Sequence, residues 1–224
     1  MAKPSVKNVQ NLLTFYRKNV LNGCNWIKFC KKCVINKNSN IHIIDAIERF
    51  CDKEKVFFRH NDHTRRVYKP AMKQLKKKVI SNIPKIKKLK TFDDIYILIE
   101  NLKIYRIGSL TIYDITLLLS AYIGLNLDKE PKYVYSHAGT SAGINKLCGL
   151  PKSNTKKYTI KELDKNLNNV FSLSKLSPAH LEHFFCIQNS FNKKGYLTSC
   201  GKGNKKRGCL VPNVHASVTG TAFS

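Results

Sequence analysis

The chain has 224 residues, 42% of them hydrophobic, and carries 40 Lys plus Arg against 14 Asp plus Glu, a formal charge of +26. That length suits one large or two small domains, and that apolar content excludes wholesale disorder. A body this basic repels itself until a polyanion neutralises it, so nucleic acid is the expected partner, each neutralised phosphate also releasing counterions. A biased genome explains some of the preference for Lys over Arg, but not the shortage of acids.

No run approaches the roughly 18 apolar residues of a membrane span. Met1-Ala2-Lys3-Pro4-Ser5 leads into polar residues rather than a signal-peptide core, so an intracellular protein with no membrane partner is expected. In that setting the eight cysteines read as reduced thiols or metal ligands rather than a disulfide framework.

Helical periodicity dominates the chain. Val6, Val9, Leu13, Tyr16 and Val20 form one apolar stripe, and Ile43, Ile44, Ile47, Phe50 and Cys51 a second. Residues 52–68 are a polar connection punctuated by aromatics and rich in Arg and His. From Lys69 to Ser81, Met72, Leu75 and Val79 share one helical face and Lys69, Lys73, Lys76 and Lys77 the opposite one. Pro84 breaks that pattern, and Lys85, Lys87, Lys88 and Lys90 extend the basic tract with no interleaved acid. Thr91 is placed to cap the next helix, with Asp93 and Asp94 in its first turn and Ile95, Ile97, Leu98 and Leu102 along it. A very apolar helix spans Leu110 to Ile123, an extended stretch Lys132 to Tyr135, and a small-residue helix Thr140 to Leu147. Further helices are predicted over Ile160–Leu167 and Pro178–Gln188, the last with Ser177 as cap and proline at its first position. From Asn189 periodicity is lost, and Lys193-Lys194-Gly195 and Lys202–Arg207 mark a basic, flexible tail.

The sharpest local pattern is Ile104-Tyr105-Arg106-Ile107-Gly108-Ser109-Leu110-Thr111, between two apolar helices. Gly108 is expected to supply the residue without Cβ where the chain turns, and the following helix to offer backbone N–H groups to a phosphate, with Arg106, Ser109 and Thr111 adding donors. Such a contact reads the backbone rather than the bases. An ordinary helical hairpin inside a core is the competing reading.

Over about residues 91–150 the chain resembles the helix-hairpin-helix of the base-excision DNA glycosylase superfamily, through Ile107-Gly108 with Thr111 and through Val134-Tyr135-Ser136-His137 ahead of a helix ending Leu147-Cys148-Gly149-Leu150. The resemblance implies a helical DNA-binding fold. It departs at Arg106, where the family has its first glycine, at Leu110, where bifunctional members carry the attacking lysine, and at Tyr135, where the catalytic aspartate stands. A neutral phenol does not stabilise a cationic sugar as a carboxylate does.

Other chemistry is sparser. Asp114, one turn after Thr111 in an apolar helix, and Asp128, in a polar loop, are the candidate catalytic acids. Cys30-Lys31-Lys32-Cys33 with Cys24 and Cys51 gives half of a zinc-site spacing and no second half. No cofactor is predicted, zinc being the one possibility that spacing leaves. His60 with His63, and His180 with His183, are compatible with helical or loop ligation, but lone pairs of this kind are more often surface decoration.

The expected architecture is all-α: a basic helical region over 1–90, a helix-hairpin-helix domain over 91–188 and a basic flexible tail over 189–224. The expected function is binding of nucleic acid, double-stranded DNA first, through Lys69, Lys73, Lys76, Lys77, Lys85, Lys87, Lys88, Arg106, Gly108, Ser109 and Thr111. Two alternatives stand beside it: a divergent glycosylase with its acid displaced to Asp114 or Asp128, and an RNA-binding ribonucleoprotein component.

Overall fold

The computed structural model describes residues 5–21, 40–52, 67–127, 129–153 and 155–190. They are mostly helical, with a single two-stranded antiparallel sheet among the described residues. They divide into two compact units, one drawn from Met1–Asn25 and Lys132–Ser224, the other from Trp26–Pro131.

In the Trp26–Pro131 unit, α2 (Asn40–Asp52) packs on α3 (Lys69–Ser81), and α5 (Phe92–Glu100) packs on α6 (Ser109–Tyr122). The apolar spacing seen in the sequence becomes the packed face: Ile43, Ile47 and Phe50 on α2, and Met72, Leu75 and Val79 on α3, are all buried. Pro84 does not merely stop α3. It falls in the first turn of a short helix, α4 (Ile83–Ile86), where its missing N–H has no partner to lose. The Thr91 hydroxyl accepts from the Asp94 N–H at 3.1 Å, and the Glu130 carboxylate accepts from the Phe92 N–H at 3.3 Å, so α5 starts on two acceptors. Along α6 every residue from Thr111 to Ala121 is buried, as an all-round apolar helix requires.

The other unit begins with α1 (Val6–Phe15), capped by Ser5 and continued by a π-helical turn over Tyr16–Leu21. Strand β1 (Val134–Tyr135) leads into α7 (Ala138–Cys148) and pairs with β2 (Lys157–Tyr158), with Val134 opposite Tyr158 and Tyr135 opposite Lys157. Then come α8 (Ile160–Asp164), α9 (Val170–Leu173) and α10 (Pro178–Ser190). A reciprocal pair of bonds between Thr159 and Glu162 starts α8, and the Ser177 hydroxyl with Pro178 starts α10. Phe171, Phe184 and Phe185 meet edge-on at centroid distances of 5.1 to 6.3 Å, and Tyr16 of the N-terminal segment joins Phe184 at 5.5 Å.

The chain therefore parts near Asn25 and after Pro131, not near residue 90. Ile83, Ile86 and Phe92 are buried on either side of residue 90, so residues 87–90 are a short connection between two helices of one compact unit. The region expected as one domain over 91–188 is split between the two units. The tail begins inside α10, and its residues from 191 onward lie outside the described ones.

Candidate nucleic-acid interface

Between Lys69 and Lys90 the chain carries nine lysines and no acidic residue. Lys69, Lys73, Lys77, Lys85, Lys87 and Lys88 are exposed and Lys76 is half-buried. On α3 the pairs Lys69/Lys73, Lys73/Lys77 and Lys73/Lys76 sit at helical neighbour spacing, each unfavourable by about 0.2–0.5 kcal/mol. The buried Ala71, Met72, Leu75 and Val79 stabilise the helix against that repulsion. What results is a row of lysines carried on a packed helix.

Residues 101–108 join α5 to α6 beside this helix. Lys78 reaches away from the lysine row, its Nζ donating to the Leu102 carbonyl at 2.8 Å. Lys69, Lys73 and Lys77 lie roughly 100–180° further round α3 at 3.6 residues per turn. The connection and the row thus occupy different flanks of one helix. Two residues of the connection are left-handed, Lys103 at φ 44° and Arg106 at φ 65°. Gly108 is not, with φ −90° and ψ 167°, an extended conformation open to any residue, and a Cβ built on it meets nothing within 4 Å. The expectation that Gly108 makes the turn is corrected: Arg106 makes it, and Gly108 serves as the N-cap of α6 without a side-chain acceptor for the first turn.

Gly108→Ala should accordingly lower stability by only about 0.5–1 kcal/mol, the difference between these residues at an N-cap. Urea unfolding measures this, and a loss several times larger would mean that the turn does need glycine there.

Arg106 lies between two tyrosines. Its guanidinium carbon is 5.1 Å from the Tyr68 ring centroid and 5.3 Å from that of Tyr105. Tyr68 is 51% exposed and Tyr105 76%. Left-handed backbone at a residue with a Cβ costs about 1–2 kcal/mol. Two exposed cation–π contacts return about 0.5–1 kcal/mol each. The stack roughly balances its own strain, so fold stability is not a sufficient reason for it.

Of the remaining candidates near the connection, Gly108 is exposed and Ser109 half-buried, while Thr111 is buried at 4% exposure and does not share their surface. Asp114 is buried in α6 at 3% exposure. Tyr135 is buried in β1 with the Lys157 ammonium 4.9 Å from its ring centroid. Asp128, Cys24, Cys30, Cys33, His60 and His63 lie outside the described residues, and Cys51 is buried in α2. Among the described residues no group of three or more His, Cys, Asp or Glu is placed to hold a metal ion. His180 and His183 each hold a hydroxyl partner at Nδ1, the Ser177 hydroxyl at 2.7 Å and the Tyr16 hydroxyl at 2.9 Å. No helix among the described residues is long and apolar enough to cross a membrane.

Sequence reasoning missed Tyr68, Tyr105, Lys78 and Lys103. The adjacent pair Tyr105-Arg106 and the Tyr68-Lys69 step were available as aromatic and basic residues in alternation, but nothing local joins residue 68 to residue 106. No family model, curated protein or solved structure matches the chain.

Proposed function

We propose that this protein binds DNA, contacting phosphates through the surface of its Trp26–Pro131 unit. The observation that carries this reading is the segment from Lys69 to Lys90, which holds nine lysines and no acid in its sequence and exposes most of those lysines to solvent. Lys69, Lys73, Lys76 and Lys77 hold one backbone segment, and Lys85, Lys87 and Lys88 continue that surface past α3. The α5 and α6 pair with residues 101–108 acts as a helix-hairpin-helix. The uncapped first turn of α6, at Gly108 and Ser109, takes a phosphate oxygen, and Arg106 adds charge. The basic segments of the tail, Lys193-Lys194 and Lys202–Arg207, add contacts of the same kind. The likeness to the glycosylase superfamily supports backbone binding; with Leu110 and Tyr135 at the chemical positions it does not support base excision.

Binding of this sort is governed by counterion release. If about six phosphates are neutralised, the log–log salt slope is about −5, and doubling the salt concentration should weaken duplex binding about thirtyfold. Fluorescence anisotropy across a salt series measures the slope. Affinity that is flat with salt, or no binding at low salt, overturns the proposal.

A further inference from the structure

We infer that Tyr68, Arg106 and Tyr105 form a stacking platform for an unpaired base, which makes the preferred ligand a DNA duplex flanked by single strand. This deepens the DNA-binding reading above and rests on it. Tyr105 is the most exposed of the large apolar and aromatic side chains among the described residues, at 76%, and Tyr68, on the same guanidinium, is 51% exposed. Neither ring is used by the core: Tyr105 lies on the connection between α5 and α6, and Tyr68 at the start of α3. The Arg106 stack returns to the fold about what its left-handed backbone costs, so stability alone does not account for it.

The chemistry fits an unstacked base. The guanidinium covers one face of each ring, and the high exposure of Tyr105 leaves ring surface open to a ligand. Every base has a π-face, so such a surface accepts any base without reading its edge. A base inside a duplex has both faces occupied by its neighbours and gains nothing here. Phosphate donors neighbour the platform in the chain: Lys103 precedes Tyr105 by two residues, and the first turn of α6 opens two residues beyond Arg106. A backbone entering over α6 and losing its partner strand would meet the platform with its first unpaired nucleotide.

The test uses the full chain and two DNAs with equal numbers of phosphates, one a blunt duplex and one a shorter duplex with a single-stranded overhang, at one salt concentration. A 2-aminopurine at the first unpaired position reports stacking through its fluorescence. The overhang DNA should bind about tenfold more tightly than the blunt one, with quenching of the probe. Tyr105→Ala should remove both the preference and the quenching while leaving blunt-duplex affinity within about twofold, because no phosphate donor is lost. Tyr105→Trp should keep the preference, and Tyr105 is exposed enough that both variants fold, as a melting curve verifies. Equal affinity for the two DNAs, or a preference that survives both Tyr105→Ala and Tyr68→Ala, overturns the platform and leaves duplex binding standing. Failure to bind either DNA overturns both.

Discussion

Gly143→Ala should destabilise the protein by about 3 kcal/mol, the upper part of the range for overpacking a close contact. Helix propensity alone predicts the opposite sign, because glycine inside a helix is about 1 kcal/mol worse than alanine. The packing decides. A Cβ built on Gly143 lies 2.0 Å from the Phe185 carbonyl oxygen and 2.7 Å from its carbonyl carbon, both backbone atoms of α10. No rotamer change relieves that clash, so α7 and α10 must separate. Their separation would loosen the aromatic contacts that Phe184 and Phe185 make with Phe171. Gly139, one turn earlier on the same face, provides the internal comparison. Its added Cβ would meet the Cys186 sulfur at 3.0 Å, a side-chain atom with some freedom to move, so Gly139→Ala should change stability by less than about 1 kcal/mol. Urea unfolding of the two variants separates these outcomes. A Gly143→Ala protein at least as stable as the parent would mean that the helices do not approach this closely.

The small residues of that helix were visible in the sequence, but their use was not. A stretch such as Gly139-Thr140-Ser141-Ala142-Gly143 fixes no partner, and α10 lies some forty residues on. Thr140 shows the same limit: its hydroxyl donates to the buried Glu182 carboxylate at 2.6 Å, a pairing no local pattern announces. Elements whose limits are set by neighbours in the chain were legible. Met72, Leu75 and Val79, with Pro84 beyond them, placed α3 correctly, and Thr91 was readable as a cap because its partner is three residues away. The placement of α1 beside α9 was not readable, since it depends on contacts across more than 140 residues.

For the candidate interface the division is similar. Charge is additive, so the lysine surface showed in composition and helical spacing before any fold was known. The Tyr68 and Arg106 contact needed the fold to close a loop of 38 residues. Gly108 misled for a different reason. Glycine is the default residue for left-handed backbone, but the default is a preference of about 1–2 kcal/mol, which tertiary contacts readily outweigh. Here Lys103 and Arg106 take the left-handed positions instead.

Asp164→Ala should cost about 3 kcal/mol, although nothing in the sequence marks Asp164 as more than the end of a short helix. Its carboxylate is buried and accepts three hydrogen bonds: from the Phe171 N–H at 2.7 Å, the Ser172 N–H at 2.9 Å and the Ser172 hydroxyl at 2.6 Å. Those two N–H groups belong to the first turn of α9, whose own N-cap, Asn169, makes no side-chain bond to it. Asp164 therefore caps α9 from a distance, across a turn in which Asn168 and Asn169 are both left-handed at φ 47° and 58°. Removing the carboxylate strands a buried donor at Phe171, at about 1–3 kcal/mol, and releases a strained turn that the bonds had held. Asp164→Asn keeps one acceptor oxygen and should cost about half as much. Cys148 provides a local readout. Burial first, and then the nearby Asp164 charge, push its thiol well up from the ordinary value, so it is protonated and inert in the folded protein. Under mildly destabilising urea, alkylation mapped by mass spectrometry should reach Cys148 sooner in Asp164→Ala than in the parent. An unchanged unfolding midpoint together with an unchanged alkylation rate would show that the turn holds without its carboxylate.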